Sequence, residues 1–536
     1  MMLNIKILTN KIYHGLFLFM LCVSFLLCQI PEKRVIAEWE PALGTMIRWP
    51  LGIPSDLVVE LATENMIYVL VETNNQQNQA RNNFNNWGID LSNVIFINTD
   101  TYSHWTRDHG PQFVIDDLSF KVINQQFDGY PVESGCDRKK TEINRYKLEG
   151  RPLPSSSRGW DEDDDTNIDF ANQMSWDIQN LPLYWTGGNF MTDGYGMGFS
   201  TQLMVNENNM SNDDFQSIIN INLSIDDYVI LDNPNVESIQ HIDCLAKLVN
   251  SETIIIKQVS ESSPEYECME EFAQSFYELH TFYGRPFKIH RIFCPTINGG
   301  FWETNPVAAY TNSLILNNKV LVPQYGISED IEALNVYREA MPGYEIIGVD
   351  GAANNPWYAE DALHCRTMGI FDPNMIHISH KSIRDEDVIN NNEIEIIAEV
   401  LDYGNPELEL EFASIYWKYA SNDGPFSEVP LLNISASHYK GMLPSINSGA
   451  SIQYYLEVKN IFGKTASHPN HGWHEFSSMD MLIGDVNGDE VINVNDIIVT
   501  INIILGSEQF ILSADINMDG LIDVIDVILL VNLIIT

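Results

Sequence analysis

Positive charge is scarce in this chain. Against 74 Asp and Glu stand only 29 Lys and Arg, a formal net charge of −45 over 536 residues. That balance excludes nucleic-acid binding as a main function, because phosphate contacts need a basic surface. Long apolar runs are equally rare, and beyond the N-terminus no segment is long and apolar enough to span a bilayer. Cysteines number 7, with no CxxC pair and no zinc-ligand spacing among them. Disorder is excluded as well, since 45% of the residues are hydrophobic and only 19% charged. The acidic surface suits solubility outside the cell, attraction of calcium and steering of cationic substrates.

Lys6 and Lys11 precede an apolar run over residues 15–28. The run is too short for a membrane span and fits the core of a signal peptide, residues 1–28. Leu27 is not the small residue that usually precedes a lipidated cysteine, so Cys28 is not read as a lipid anchor. The expectation is secretion or display at the cell surface, with the periplasm as the alternative compartment. Cys136, Cys244, Cys268, Cys294 and Cys365 then remain. Five is odd, so at least one thiol stays free or pairs with another molecule.

Three blocks follow. Residues 31–385 alternate short β-rich runs (66–71, 93–97, 253–256, 319–322) with helical patterns such as 268–280, which reads as α/β. Within this block, residues 138–165 are polar and read as a surface insertion whose acidic end, 161–165, is a solvated loop. Residues 389–478 hold strands without helices, at 393–400, 413–419 and 451–458, as in a small immunoglobulin-like β-sandwich. No catalytic constellation is visible there.

Residues 483–536 are an internal duplication. The first copy carries Asp485, Asn487, Asp489, Val491, Asn493 and Asp496; the second carries Asp515, Asn517, Asp519, Leu521, Asp523 and Asp526. Side-chain oxygens at loop positions 1, 3, 5, 9 and 12, with a backbone carbonyl at 7, wrap a hard cation. An apolar helical stretch follows each loop, at 497–505 and 527–535. The block resembles a small helical dockerin of type I, which implies Ca2+ binding and a cohesin-type partner protein. Glu490 replaces the usual glycine at position 6 of the first loop. Val494-Asn495 and Val524-Ile525 replace the Ser/Thr pairs of many dockerins.

Chemistry concentrates in four segments of the first block: Trp105-Thr106-Arg107-Asp108-His109-Gly110-Pro111; Thr186-Gly187-Gly188-Asn189 running on to Asp193-Gly194-Tyr195-Gly196; His241-Ile242-Asp243-Cys244; and Asp361-Ala362-Leu363-His364-Cys365-Arg366-Thr367. Two carboxylates, a histidine and a cysteine are what hydrolysis of a guanidinium requires. The cation is resonance-stabilised, so carboxylates must hold its nitrogens, a thiolate must attack, and an acid must protonate departing ammonia. A free thiol has a pKa of roughly 8.5, which a nearby cation lowers; here the substrate itself is that cation. Asp193 and the glycines after it read as a tight turn. His104, His109 and His364 are assigned no chemistry.

These segments, with Glu38-Trp39-Glu40-Pro41, Ile47-Arg48-Trp49-Pro50, Tyr310-Thr311-Asn312 and residues 333–348, resemble the bacterial peptidylarginine deiminases and, more distantly, the agmatine deiminases of the guanidino-group modifying superfamily. The resemblance implies a five-fold pseudo-symmetric α/β propeller with a central site. It also implies a hydrolase acting on C–N bonds in amidines, without a catalytic cofactor. Cys365 would attack the guanidino carbon. Asp108 and Asp243 would bind its nitrogens. His241 would protonate ammonia and then activate water, Asn312 would orient the site, and Trp105 would cover the aliphatic part of the substrate.

The leading expectation is conversion of peptidyl or C-terminal arginine to citrulline. Relatives preferring C-terminal arginine carry an arginine-rich stretch after the first motif. Residues 126–134 contain none, and Asp128 repels a carboxylate; only Arg138, Arg145, Arg151 or Arg158 of the insertion stand nearby in sequence. Agmatine or another small guanidine is therefore the alternative substrate. Amidino transfer and a non-catalytic, cohesin-docked binding protein are the other readings.

Overall fold

The computed structural model describes residues 30–130, 135–136, 160–235, 239–298, 306–388, 393–446, 449–478, 483–489, 491–505, 511–517 and 521–535. The signal-peptide residues, Asp519, Glu490 and the four insertion arginines lie outside these. Contacts divide the chain into two units. One runs up to His377 and includes Leu401–Glu407 and Asn470–Gly472; the other comprises Ile378–Val400, Leu408–Pro469 and the residues from Trp473 onward.

The first unit repeats one connection. An antiparallel strand pair is followed by a helix and a third strand parallel to the second. Among the described residues it occurs in five sheets. In one, Gln112–Asp116 pairs with Ser119–Gln126, and the helix Thr166–Met174 leads to Asp177–Tyr184. The next has Met191–Thr192, Met197–Thr201, the helix Asn212–Leu223 and Asp227–Leu231. Ala246–Asn250, Thr253–Gln258, the helix Tyr266–Tyr277 and Lys288–Phe293 form a third. Leu314–Leu316, Lys319–Gln324, the helix Glu329–Ala340 and Glu345–Asp350 form a fourth. The fifth joins the two ends of the unit: Met368–Phe371 pairs with Ala42–Arg48, which runs parallel to Met66–Val71 and that in turn to Val94–Asn98. Middle strands are covered on both faces, so they read as unbroken apolar runs: Ile67, Tyr68, Val69, Leu70 and Val71 are all buried.

The second unit contains two sheets. Ile394–Asp402 pairs with His438–Leu443, and that with Leu432–Ser435, all antiparallel. Leu410–Tyr419 and Ser451–Asn460 form the centre of the other, and strict alternation of buried and half-buried residues along Ser451–Asn460 marks one face as core. The sheets meet where Gly441 leaves room for the Ile415 side chain, 2.5 Å from where a Cβ would stand. At the C-terminus the helices begin three residues earlier than the apolar pattern suggests, at Val494–Ile504 and Val524–Ile535. Asn493 is the reason in the first copy: its side chain caps the helix, which makes Val494 the first helical residue.

Two features of the first unit needed coordinates. Cys136 and Cys268 form a disulfide, leaving Cys244, Cys294 and Cys365 as buried free thiols. The acidic end of the insertion is not the expected solvated loop. Asp161–Asp164 is a short helix, and Asp163 is fully buried, accepting hydrogen bonds from Thr101 Oγ1 and the backbone N–H groups of Tyr102 and Ser103 at 2.8–3.2 Å. A buried carboxylate that satisfies backbone donors stabilises the turn leading into the first chemical segment. Replacing Asp163 by Ala is expected to lower stability by roughly 3 kcal/mol through the orphaned donors. Asp165→Ala, at an exposed position, should cost less than about 0.5 kcal/mol. Chemical denaturation followed by tryptophan fluorescence checks both, and equal midpoints would remove the structural role given to Asp163.

Candidate active site

Each of the five sheets carries a short connection just before the first strand of its antiparallel pair, and Asp108, Asp243, Asn312 and Cys365 lie in those connections, with Trp105 and His241 at the entrance to two of them. Asp108 is in the helical turn Thr106–His109, before Gln112–Asp116. Gly187–Asn189 precedes Met191–Thr192, and Ile242–Cys244 precedes Ala246–Asn250. Asn312 precedes Leu314–Leu316, and Cys365 precedes Met368–Phe371.

Hydrogen bonds join the five turns into a closed ring. Gly188 N–H donates to Asp108 Oδ1 at 3.0 Å, and Ile242 N–H to Asn189 Oδ1 at 3.2 Å. The Asn312 amide nitrogen donates to Cys244 Sγ at 3.6 Å and to Cys365 Sγ at 3.2 Å, while its oxygen accepts from the N–H groups of His364 and Cys365. Arg107 N–H closes the ring on the Cys365 carbonyl at 3.1 Å. Gly187 approaches so closely that a Cβ there would lie 2.1 Å from the Arg107 carbonyl oxygen.

Asp108, His241, Asp243 and Cys365 meet inside the ring, each no more than 1% exposed. A Cβ placed on Gly188 would stand 2.6 Å from Asp108 Oδ1, 3.1 Å from Asp243 Oδ2 and 3.1 Å from His241 Nδ1. Three groups therefore surround one point, and Cys365 Sγ lies 3.8 Å from the same Asp243 oxygen. His241 Nδ1 is buried and has no hydrogen-bond partner, as expected of an atom that awaits one. The Trp105 ring lies 5.2 Å from that of Tyr130 and 6.0 Å from that of Trp160, in an aromatic cluster beside the carboxylate. Asp193 forms the expected turn, its Oδ1 accepting from the N–H groups of Tyr195 and Met197. A cleft lined by Glu38, Trp39, Arg107, Lys247, Asp243 and His364, among others, reaches the site without being lined by Cys365, Asp108 or His241.

The two carboxylates sit in opposite charge environments. Burial, reinforced by the charge of Asp243, raises Asp108 well above the carboxylate range; the Tyr130 hydroxyl at 2.7 Å and Gly188 N–H offset this only in part. Burial also pushes Asp243 up, but the hydrogen bond and charge of His364 outweigh it and leave Asp243 below its ordinary value. His241 is pushed down by burial to about 4. At Cys365 a hydrogen bond from Cys244 pulls the thiol down. Burial and the nearby carboxylates, Asp243 foremost, win and hold it at about 11. At neutral pH the thiol and His241 are thus both neutral.

Sequence reasoning missed four participants. His364 contacts Asp243 Oδ2 through Nδ1 and Glu38 Oε2 through Nε2, both at 2.8 Å. Both partners are acceptors, so the imidazolium, with two N–H donors, is the species that fits. Glu38 is held from the other side by Lys247 Nζ at 2.6 Å. Tyr130, in the stretch scanned for arginines, binds Asp108 instead. The only signals were that His364 adjoins Cys365 and that Glu38 stands in the opening motif, and neither reveals direction.

Gly188 supplies a direct test. Its missing side chain leaves the space around which the polar groups converge, so Gly188→Ala should cut kcat/KM for a guanidine substrate at least about a hundredfold while circular dichroism remains that of the wild type. Unchanged turnover would mean that the reacting groups do not use this point.

Comparison with known proteins places the fold of the first unit. An agmatine deiminase structure from Enterococcus faecalis covers 64% of this chain and 98% of its own at 20% identity, with a TM-score of 0.52. A Porphyromonas gingivalis structure named as an arginine deiminase covers 64% and 99% at 19% identity, with a TM-score of 0.50. A Lactococcus lactis protein named as an agmatine deiminase is 26% identical over 307 residues, 52% of this chain and 76% of its own length. Residues 483–535 match the type I dockerin domain. The profile of the Porphyromonas-type peptidyl-arginine deiminases matches residues 34–370, more than half of the 536, and the chain belongs to that family of guanidino-group deiminases.

Proposed function

We propose that the chain is an exported deiminase that hydrolyses the guanidino group of peptidyl arginine to citrulline and ammonia, with no requirement for a C-terminal carboxylate. The observation that carries this reading is the convergence of Asp108, Asp243 and His241 on the space beside Gly188, with the Cys365 sulfur next to it. A planar cation bound there neutralises the carboxylates that hold the thiol up, so substrate binding itself favours the thiolate. The thiol proton passes to His241 as the sulfur attacks the guanidino carbon, His241 delivers that proton to the departing nitrogen so that ammonia leaves, and an S-alkylthiouronium remains on Cys365. His241 then takes a proton from water, whose oxygen adds to the same carbon. The thiolate is expelled and a ureido group is left. Asn312 orients the sulfur, and His364, anchored by Glu38, keeps Asp243 ionised.

Support for export comes from the Cys136–Cys268 disulfide, a bond characteristic of oxidising compartments, and from the dockerin-type tail, a module suited to assembly outside the cell. Among the described residues no helix is long and apolar enough to cross a membrane. We read the five sheets as blades of a five-fold α/β propeller and the paired sheets as an immunoglobulin-like spacer between catalytic block and tail. The tail is assigned Ca2+ and a cohesin-type partner. Its donors are all oxygen atoms, as a hard cation requires. Asp496 Oδ1 and Oδ2 already gather the N–H groups of Val486, Asn487 and Asn493, and Asp526 repeats this with Ile516, Asn517 and Asp523. Asp485, Asn487, Asp489, Val491, Asn493 and Asp496 would hold one ion, their counterparts in the second copy the other, each cross-linking its loop.

A small guanidine is the second reading, favoured by the names of the relatives. Citrulline and ammonia release from an internal-arginine peptide, a C-terminal-arginine peptide and agmatine separates the two. The internal peptide is expected to turn over, Cys365→Ala to be inactive on all three, and turnover of agmatine alone would replace the first reading by the second. Thiolate formation is checked by alkylation. Inactivation by neutral iodoacetamide should climb with pH towards a midpoint near 11. A cationic haloamidine should inactivate rapidly at neutral pH, and equal rates there would end the substrate-assisted step. His364→Asn should lower kcat/KM roughly 10- to 100-fold. Losing the imidazolium raises Asp243, so the acid limb of the pH profile should move to higher pH.

A further inference from the structure

We propose that Asp243, Cys244 and Cys365 form a binding site for a soft divalent cation, zinc or cadmium, and that its occupancy switches the guanidine chemistry off. One ligand atom from each of the three residues lies within 4.8 Å of the others, and all three residues are buried. The individual separations match a coordination shell. Cys365 Sγ stands 3.8 Å from Asp243 Oδ2, and Cys244 Sγ 3.4 Å from Asp243 Oδ1. With metal–sulfur bonds of about 2.3 Å and metal–oxygen bonds of about 2.1 Å, the edges of a tetrahedron around zinc are roughly 3.6–3.8 Å. Each sulfur–oxygen contact, one to either oxygen of the carboxylate, lies within a few tenths of an ångström of that edge.

Their surroundings favour the bound form. A single amide nitrogen, that of Asn312, donates to both sulfurs, at 3.2 and 3.6 Å, and so aims them at a common space. His364 pins the carboxylate through Oδ2 at 2.8 Å, the kind of outer hydrogen bond that orients a metal-binding carboxylate. Two thiolates and a carboxylate are a soft donor set, which selects zinc or cadmium over the calcium assigned to the tail. Binding is balanced by proton release: one cation replaces the two thiol protons, and both leave as H+.

The sequence assigns Cys244 no chemical role, and in the guanidine reaction it does no more than hydrogen-bond to the Cys365 sulfur. Here it is the ligand that turns a nucleophile–carboxylate pair into a three-point site. The same cation would occupy Cys365 and Asp243 together, so it would compete with substrate. The inference rests on the proposed function only for this effect on turnover, since cation binding has its own readout.

The test uses the full chain saturated with calcium, so that the tail is already filled. Cadmium is titrated while the ultraviolet thiolate-to-cadmium charge-transfer band and released protons are recorded, and zinc is added to the citrulline assay. One cadmium per chain, two protons per cation, and zinc inhibition competitive with substrate and reversed by a chelator are expected. Cys244→Ser should weaken both cadmium binding and zinc inhibition at least tenfold, each judged against that variant's own metal-free rate. Cys294→Ser, the remaining buried thiol, should change neither. Should Cys244→Ser not fold, zinc protection of Cys365 from iodoacetamide in the wild type and loss of the band in Cys365→Ala carry the test. Absence of the band, or a band and an inhibition indifferent to Cys244, would overturn the proposal. A band in a chain that turns over no guanidine would uphold the site and refute the proposed reaction instead.

Discussion

Asp108, Asp243 and the Cys365 sulfur share a space from which water is excluded, and two buried carboxylates so close together cannot both stay ionised unaided. The structure resolves the conflict by treating them differently. Asp243 faces His364, which is itself braced by Glu38 and Lys247. Asp108 faces the Tyr130 hydroxyl and is pushed up. The outcome is a site poised for a positive charge. The buried acids also help to hold the Cys365 thiol at about 11, while burial itself keeps His241 neutral.

Keeping that arrangement intact is a task for backbone as much as for side chains. Each chemical group sits on a turn at the start of a strand, and each turn is tied to the next by a hydrogen bond that crosses from one sheet to another. Gly187 and Gly188 are glycine for different reasons. At Gly187 a side chain would strike the Arg107 carbonyl, and at Gly188 it would fill the space on which Asp108, Asp243 and His241 converge. The ring explains why residues as far apart as 108 and 365 act within one ångström-scale geometry, and why the segment before the first turn is braced by the buried Asp163.

The proposed reaction and the proposed cation site use the same physics in opposite senses. A guanidinium presents its charge in a plane to two carboxylates and leaves the sulfur free to attack. A soft cation presents its charge as a point and takes the sulfur as a ligand. Cys244, next to Asp243 in the chain, only hydrogen-bonds to the Cys365 sulfur in the first and completes the second.

How much was legible in the sequence depends on the range of the interaction. Apolar runs marked the strands at 66–71 and 319–322, because burial on both faces leaves a pattern that needs no partner to be read. Oxygen spacing in the duplicated tail and the four motifs with Asp108, His241, Asp243 and Cys365 were equally local, carried by residue type at fixed intervals. Helix starts at 494 and 524 were missed by a turn because capping follows a side-chain hydrogen bond rather than periodicity. The burial of Asp163, the Cys136–Cys268 pairing, and the contacts of His364, Glu38 and Tyr130 were not legible, since each joins groups distant in the chain and depends on direction. Composition and motif spacing determined which chemical groups this protein possesses. Only the tertiary fold decided which carboxylate faces His364, which is pushed up and which cysteine stands beside Cys365, because those outcomes depend on distance and desolvation.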